Sequence, residues 1–343
     1  MTKYSFFNDY SEGAHQKVLD LLNETNLVQE PGYGMDSISK DAIDLIKKSI
    51  GDSNVDVHFI PGGTQANLTV IASILRPYEG VIAARTGHIN VHEAGAIEAT
   101  GHKIIDVESK DGKLTPELIQ VGLNESQDEH TVKAKLVFIS NATELGTIYN
   151  EQELKAISDF CKEKDLYLYM DGARLASGLM SSASNLDLAK VTKYVDIYYI
   201  GGTKNGALIG EAIVIVNNDL KKDFRYHLKQ RGALLAKGKL LGIQFKALFT
   251  DNLYFDIAKH ANEMAAKLTS GMKDLGIQFL ADSTTNQIFP IFTNEQIKKL
   301  EEFYGFYVWA KVDENSSAIR LVTSWATEEK MVDEFLMDLK GIV

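Results

Sequence analysis

LYLYMDGARLASG (166–178) and DIYYIGGTKNGALIGEAIVIV (196–216) are the two stretches that decide the fold of this chain. Each contains a short run that is apolar at every position, which is typical of a strand buried on both faces of a sheet. Runs of this kind recur at residues 57–60, 81–84, 104–107, 136–139, 166–170, 197–200 and 212–216. Segments with helical spacing lie between them, for example 66–75, 151–164 and 186–193. This alternation predicts an α/β fold with a mostly parallel central sheet and helices on both faces.

The C-terminal part has a different pattern. A long helical segment at 240–273 precedes several short strands and a last helix that begins at Thr327. The predicted short strands are 278–280, 287–292, 307–310 and 318–322. We therefore predict a large α/β domain at 1–249, which includes an N-terminal arm, and a smaller α+β domain at 250–343.

The composition excludes several classes of protein. The 343 residues include 36 Lys and Arg against 47 Asp and Glu, and the resulting charge of −11 disfavours nucleic acid and anionic membrane surfaces as partners. The single cysteine, Cys161, excludes an internal disulfide framework and a cysteine-rich zinc site. No apolar run has the length of a signal peptide or of a transmembrane helix, so we expect a cytoplasmic protein.

Two side chains at predicted strand ends have the most informative chemistry. Asp171 directly follows one apolar run, and Lys204 follows another after two glycines. In open α/β sheets, ligands bind beyond the carboxyl ends of the strands. A lysine there can form a Schiff base with pyridoxal phosphate, while a carboxylate from another strand keeps the pyridine nitrogen protonated. The pair therefore indicates a pyridoxal phosphate site, whereas either residue alone is more typical of a helix cap or a solvated turn.

A cradle for the phosphate is predicted in HFIPGGTQANLTVIASIL (58–75). There a strand leads through Gly63 to Thr64 at the start of a helix, where free amides and the helix dipole favour an anion. Gly-Gly-Thr is also an ordinary turn, so this prediction depends on Asp171 and Lys204 in the same chain.

Two histidines lie four positions apart in ARTGHINVHEAGAIEATGH (84–102). In one interpretation His88 stacks on an aromatic cofactor ring and His92 moves protons near neutral pH. A metal site is disfavoured because no third ligand is evident, so we predict no metal. The alternative is two partly buried histidines without a chemical role.

Basic residues near the C-terminal end of the large domain and in the small domain are candidates for binding anions. Lys229 lies in the basic stretch 223–240, which is by default a solvated helix face. Arg320 lies within an apolar strand, where an unpaired guanidinium is costly, and an amino acid's carboxylate suits its bidentate geometry. A structural salt bridge is the alternative for Arg320.

Together these motifs resemble a known family. In their order they are similar to the fold-type I pyridoxal phosphate enzymes of the L-threonine aldolase (β-eliminating lyase) family, and the resemblance covers nearly the whole chain. It implies cleavage of β-hydroxy-α-amino acids to glycine and an aldehyde, by a homotetramer whose dimers share active sites. The stretches are PGYGMD (31–36), HFIPGGTQAN (58–67), RTGHINVHEAGAIEATGH (85–102), YMDGARLASG (169–178), YIGGTKNGALIGEA (199–212) and IRLVTSWAT (319–327).

The resemblance also implies roles for individual residues. Lys204 would bind the cofactor covalently, Asp171 would face the pyridine nitrogen and His88 would stack on the ring. Gly63 and Thr64 would hold the phosphate. The residues implied near the substrate are Ser11, Tyr33, Arg174, Arg320 and, from the neighbouring subunit, Lys229, with Arg174 also near the cofactor.

One departure from the family concerns the substrate hydroxyl. Many members have a histidine in the loop after the strand at 136–139, whereas this loop reads SNATELGTIY (140–149). The group that takes the proton of the β-hydroxyl is then His88, His92, Glu144 or a bound water. The preference for threonine or allo-threonine stays open for the same reason.

Three other functions compete with the aldolase. The first is another pyridoxal phosphate reaction on the same fold, such as β-elimination or transamination. The second is a non-catalytic protein that uses the fold to bind a ligand. The third is nicotinamide binding, which is weaker because no GxGxxG follows an early strand.

Overall fold

The computed structural model describes residues 4–126 and 128–342. Its strands are β1 (Tyr4–Ser5), β2 (Asp56–Ile60), β3 (Glu79–Ala84), β4 (Ile104–Val107), β5 (Lys133–Ser140), β6 (Tyr167–Asp171), β7 (Ile197–Gly201), β8 (Glu211–Ile215), β9 (Gln287–Ile288), β10 (Ile291–Thr293), β11 (Tyr304–Gly305), β12 (Tyr307–Lys311) and β13 (Ser316–Val322). Its helices are α1 (Gln16–Glu24), α2 (Ser37–Ile50), α3 (Gly63–Ile74), α4 (His88–Val91), α5 (Pro116–Asn124), α6 (Glu151–Glu163), α7 (Leu175–Leu179), α8 (Leu188–Tyr194), α9 (Phe224–Gln230), α10 (Lys239–Phe249), α11 (Leu253–Asp274), α12 (Asn294–Glu301) and α13 (Glu329–Lys340).

The central sheet has the strand order β2-β8-β7-β6-β5-β3-β4 in the described part of the chain. Strands β3, β4, β5, β6 and β7 pair in parallel, and β8 runs antiparallel to both β2 and β7. The prediction of a mostly parallel sheet in an α/β fold is confirmed. Each apolar run identified in the sequence forms one of these strands.

Apolar side chains cover both faces of the sheet. In β5, Leu136 and Phe138 belong to the core on one face, whereas Val137 and Ile139 belong to the core on the other. Burial of each such side chain contributes about 1.5–3 kcal/mol to folding. The strand therefore needs apolar residues at every position, which explains the absence of alternation in the sequence.

Two glycines allow the ends of β6 and β7 to run close together. A Cβ atom on Gly172 would lie 1.8 Å from the carbonyl oxygen of Tyr199, and one on Gly201 would lie 2.5 Å from that of Ala173. The amide of Gly201 donates to the carbonyl of Gly172 at 3.0 Å. This close approach brings Asp171, at the end of β6, to the same edge as the turn that follows β7.

The C-terminal strands form an antiparallel sheet of β10, β13 and β12, with β9 also paired to β13. The prediction of one continuous helix at 240–273 is wrong, because α10 and α11 are separated at Asp251 and Asn252, whose φ angles are 52° and 63°. The predicted strand at 278–280 is reduced to a single bridge from Phe279, and the one at 287–292 is divided into β9 and β10.

The N-terminal residues of the described chain pack on this C-terminal part. Strand β1 pairs in parallel with β11, and Phe6 lies fully buried in the same core as Phe335 of α13. The domain boundary near residue 250 stays a prediction. Within residues 4–126 and 128–342, no helix combines the length and the apolar character needed to cross a membrane.

Candidate active site

Lys204 lies in the turn between β7 and β8. Backbone hydrogen bonds hold this turn, because the amides of Gly202 and Thr203 both donate to the carbonyl of Gly210 at 3.1 Å. Desolvation by burial and the nearby charge of Arg174 lower the pKa of the Lys204 amine. A lowered pKa raises the fraction of neutral amine, which is the nucleophilic form.

Asp171 is buried at the end of β6, and three donors position its carboxylate. The hydroxyl of Tyr199 donates to Oδ1 at 2.5 Å, and the amide of Ala173 donates to the same oxygen at 2.9 Å. The side-chain amide of Asn67 donates to Oδ2 at 3.0 Å. The acid is therefore held in one orientation at the sheet edge that also carries Lys204.

The N-terminus of α3 lies against Tyr199, which donates a hydrogen bond to Asp171. A Cβ atom on Gly63 would lie 3.1 Å from the hydroxyl oxygen of Tyr199. The helix begins after Gly62 without a side-chain cap, and Thr64 is exposed. Uncapped amides at a helix start attract anions.

His88 and His92 lie at the two ends of the short helix α4, with ring centroids 5.5 Å apart. Burial disfavours the charged form of His88, but the hydrogen bond from Nδ1 to Glu93, at 2.8 Å, and the charges of Glu144 and Asp171 together outweigh it and raise the pKa. For His92 the partial burial dominates and lowers the pKa. The pKa values of the two imidazoles are thus shifted in opposite directions.

Arg174 is already paired with a carboxylate of this chain. Its Nε and Nη2 donate to the two oxygens of Asp9 at 2.7 and 3.0 Å, and both side chains are buried. Asn286 donates to the same carboxylate at 2.9 Å. Burial opposes ionisation of Asp9, but the charges of Arg174 and Lys204 outweigh it and lower its pKa.

Arg320 has no such partner. Its guanidinium lies 5.1 Å from the ring centroid of Tyr307 and 4.9 Å from that of Trp309, and Nη2 donates to the carbonyl of Phe7 at 3.4 Å. Its Nε is buried without a hydrogen bond, and no carboxylate within the described ranges lies within salt-bridge distance. Desolvation and the charge of Arg174 lower the pKa of Arg320. An incoming carboxylate would satisfy this buried donor.

Three predicted residues have no observed contact with Lys204 in the described structure, although Ser11 directly follows Tyr10, whose ring centroid lies 5.9 Å from the Lys204 amine. The amine of Lys229 lies 4.7 Å from the ring centroid of Tyr33, and both are near α9. Ser11 is exposed, and its hydroxyl donates to Asn8 at 3.0 Å. Within residues 4–126 and 128–342, no observed contact joins any of the three to Lys204.

Several polar residues of the site were missed by the sequence analysis. Asn67 and Tyr199 bind Asp171 but lie within apolar periodic segments, where a polar position gives no signal of its own. Glu211 begins an apolar strand, and this exception to the pattern was the one available clue. Burial raises the pKa of Glu211 to about 7, and its carboxylate accepts from the amide of Gly202 at 2.8 Å. The missed residues are Asp9, Asn67, Glu93, Tyr199 and Glu211.

The functional groups gathered at this sheet edge fit pyridoxal phosphate. A half-buried amine with a lowered pKa, Lys204, shares a sheet edge with the oriented carboxylate of Asp171. The uncapped start of α3, at Gly63 and Thr64, lies against the residue that binds this carboxylate. Among the described residues, no three metal-ligating side chains cluster in a way that would hold a metal ion.

The model of the β-eliminating lyase family matches residues 25–295. The chain belongs to this family. A low-specificity L-threonine aldolase from a Pseudomonas strain is 32% identical over 342 residues, which are 98% of this chain and 97% of that protein. The enzyme of the same name from Escherichia coli K12 is 27% identical over 249 residues, 71% of this chain and 72% of its own length.

Solved structures that are similar to this chain agree with the sequence comparison. A threonine aldolase from Leishmania major is 49% identical with a TM-score of 0.98, and the match covers 99% of this chain and 100% of that one. An aspartate aminotransferase from Thermus thermophilus, 15% identical with a TM-score of 0.73, covers 99% of this chain and 91% of its own and shows the fold alone. The predicted fold-type I architecture and family are confirmed, and enzymes of this family and fold depend on pyridoxal phosphate.

Proposed function

We propose that this protein is a carbon–carbon lyase that uses pyridoxal phosphate to cleave L-threonine, L-allo-threonine or related β-hydroxy-α-amino acids to glycine and an aldehyde. The observation that carries the proposal is the placement of Lys204 and Asp171 at neighbouring strand ends, with the unpaired Arg320 nearby. The full-length similarity to proteins named threonine aldolase supports the same activity.

The cofactor would be held by residues whose chemistry matches its parts. Lys204 supplies the amine for covalent attachment, and Asp171 supplies the carboxylate for the pyridine nitrogen. Gly63 and Thr64 supply uncapped amides for the phosphate, and His88 supplies an imidazole for the ring face. When bound, pyridoxal phosphate provides the conjugated system that accepts the electron pair left on the Cα atom.

Arg320 binds the α-carboxylate of the substrate in this proposal. A bidentate guanidinium–carboxylate pair fixes the rotation of the amino acid about its Cα atom. By fixing that rotation, Arg320 would select which bond to the Cα atom is placed for cleavage when the cofactor is bound. Arg174 adds positive charge to the same region, while Asp9 keeps its guanidinium in place.

Removal of the β-hydroxyl proton is assigned to His92. Its lowered pKa favours the neutral imidazole, and a neutral imidazole can accept a proton. His88 is less suited, because its Nδ1 is bonded to Glu93 and its pKa is raised. Glu144 and a bound water are the alternatives, and Glu144 acts electrostatically on both histidines.

The test is product analysis with the purified protein and its Lys204→Ala variant. We expect visible absorbance from the bound cofactor, borohydride reduction that attaches it to the peptide containing Lys204, and release of glycine and an aldehyde from threonine, allo-threonine and phenylserine. Lys204→Ala should lose all three, whereas Lys193→Ala, an exposed lysine on α8, should keep them. A 2-keto acid that keeps the carbon skeleton of the substrate would instead support β-elimination, if ammonia is released with it, or transamination, and a protein that stays colourless with added cofactor would support a non-catalytic binding role.

The assembly and the location are part of the proposal. We infer a homotetramer built from dimers that share active sites, as the resemblance to the aldolase family implies, with Lys229 beside Tyr33 as the pair that would reach a neighbouring site. A second subunit would bring this pair to a neighbouring site. We also place the protein in the cytoplasm. Light scattering in solution measures the molar mass, and a monomer would exclude the shared site.

A further inference from the structure

Glu93 is a buried carboxylate to which the proposed reaction gives no role. Its side chain has 0% exposure. One oxygen, Oε1, lies 2.8 Å from Nδ1 of His88 and accepts from Nδ2 of Asn67 at 2.6 Å. The other oxygen, Oε2, is buried without a hydrogen-bond partner among the described residues. Such burial costs stability, so the carboxylate calls for an explanation in terms of what it does to its two partners.

Asn67 extends this contact to Asp171. Its Nδ2 donates to Oε1 of Glu93 and also to Oδ2 of Asp171, at 3.0 Å. The amide orientation is fixed, because its Oδ1 accepts from the hydroxyl of Tyr169 at 2.8 Å. Both N–H groups of one amide therefore serve two different carboxylates. A continuous chain of hydrogen bonds links His88, Glu93, Asn67 and Asp171.

The contact determines which nitrogen of His88 bears hydrogen. An ionised carboxylate only accepts hydrogen bonds, so Nδ1 of His88 is the donor to Glu93. The neutral imidazole is then restricted to the tautomer with hydrogen on Nδ1 and a lone pair on Nε2. Without this acceptor, the two tautomers would be free to exchange.

We propose that Glu93 is a positioning residue that fixes the tautomer, orientation and charge of His88 and couples it, through Asn67, to Asp171. The inference deepens the proposed function, because it assigns the group that prepares the imidazole for the cofactor ring. Glu93 itself touches neither cofactor nor substrate in this role. It acts through His88, as the carboxylate of a catalytic triad acts through its histidine.

The charges around His88 support this role. Burial disfavours the imidazolium, the hydrogen bond to Glu93 favours it, and the net result is a raised pKa for His88. Removal of the Glu93 charge would leave burial opposed by weaker and more distant interactions. The other charged or titratable groups that act on His88 are Glu144 and Asp171, which raise its pKa, Lys204, which lowers it, and the neighbouring ring of His92.

The test uses Glu93→Gln in the holoenzyme labelled with ¹³C and ¹⁵N in histidine. Glutamine can place its oxygen at the position of Oε1 and its amide nitrogen at the position of the unpartnered Oε2. We expect the NMR titration midpoint of His88, assigned with His88→Asn, to fall by about one pH unit. The pH dependence of the visible absorbance should move in the same direction, and kcat for threonine should fall more than KM rises. Glu98→Gln is the matched control, because Glu98 is an exposed acid of the same segment.

A second measurement needs no variant. Above its titration midpoint, the ¹⁵N shifts of His88 in the unaltered protein should report hydrogen on Nδ1. Hydrogen on Nε2, or an unchanged midpoint in Glu93→Gln, would overturn the role of Glu93. Because both readouts observe the imidazole, they are independent of threonine cleavage. If the protein did not cleave threonine but the titration midpoint of His88 still fell in Glu93→Gln, the aldolase proposal would fail and the inference about Glu93 would hold.

Discussion

Two hydrogen-bond networks contain charged residues that act electrostatically on Lys204. The two networks are built from different parts of the molecule. The first, which we call the ring-side network, comprises His88, Glu93, Asn67, Asp171, Tyr169 and Tyr199. It joins strands β6 and β7 of the central sheet and helix α3 to α4 and the residues that follow α4. The second, the carboxylate-side network, comprises Asp9, Arg174 and Asn286. It joins the N-terminal segment, the start of α7 and the chain just before β9.

The two networks differ in which parts of the fold fix their geometry. Strand pairing fixes the members of the ring-side network on β6 and β7, and Asn67 of α3 connects them to His88 and Glu93. The carboxylate-side network depends on segments that meet only in the complete chain. Within it, Arg174 is neutralised by Asp9, so that Arg320 is, of these two arginines, the one without a carboxylate partner among the described residues. The pairing of one arginine thus leaves the other available for a ligand.

The largest expected effect is on the carboxylate-side network. Arg174→Ala removes the paired guanidinium of the buried Asp9, which keeps one amide donor, from Asn286, and the unbonded charge of Lys204. We expect the free energy of unfolding to fall by about 3–5 kcal/mol. Urea denaturation measures it, and a double-mutant cycle with Asp9→Ala should recover part of the loss. A loss below about 1 kcal/mol would show that the pair does not hold the network together.

Arg320→Met is the variant to compare with Arg174→Ala, because it removes the arginine that has no carboxylate partner in the part of the chain that the structure describes. Methionine keeps an unbranched apolar side chain between Tyr307 and Trp309 and removes a guanidinium that has lost its hydration. Its free energy of unfolding should change by less than about 1 kcal/mol, while KM for threonine rises by about 10²-fold. Equal destabilisation by the two arginine variants would remove the distinction between the paired and the free guanidinium.

The buried carboxyl of Glu211, which binds the turn that contains Lys204, should make the free energy of unfolding depend on pH. Burial raises its pKa from 4.5 to about 7 in the folded protein. Between these values the unfolded chain releases the proton and the folded chain keeps it, so this group lowers the free energy of unfolding as pH rises. Above pH 7 the penalty is constant, at roughly 3 kcal/mol. Glu211→Gln removes it, while its amide oxygen still accepts from Gly202.

The difference in unfolding free energy between Glu211→Gln and the unaltered protein should therefore grow from about pH 5 to about pH 7 and then level off. Urea denaturation at several pH values measures it. A difference that is independent of pH would mean that Glu211 titrates at its ordinary value in the folded state. Glu108→Gln, which changes an exposed acid, is the control for the loss of charge.

The sequence alone predicted the ring-side network only in part. Asp171 and Lys204 were found because strands buried on both faces leave an unmistakable apolar run, and each residue stands where a run ends. Asn67 could not be found, since its partner Asp171 is distant in the sequence and the helix around it is apolar. Asp9 was missed for the same reason, because its partner Arg174 lies in another segment.

Local periodicity also failed at the helix break. The apolar spacing of α10 continues into α11, so the pattern predicted one helix across 240–273. The break depends on positive φ angles at Asp251 and Asn252. Asp and Asn tolerate this conformation more readily than most residues, but they also occur in regular helices, so their presence alone does not predict a break.

The smallest expected effect separates two hydroxyls within the ring-side network. Tyr199 donates to the carboxylate of Asp171 at 2.5 Å, whereas Tyr169 donates to the neutral amide of Asn67 at 2.8 Å. A hydrogen bond to a charged acceptor is about twice as strong as one to a neutral acceptor. We therefore expect Tyr199→Phe to lower the free energy of unfolding by about 2 kcal/mol and Tyr169→Phe by about 1 kcal/mol, measured by urea denaturation. In an Asp171→Asn background the two losses should become equal. Equal losses in the unaltered background would show that the charge of Asp171 does not strengthen its hydrogen bond from Tyr199. Side-chain packing, and not this charge, would then hold the ring-side network together.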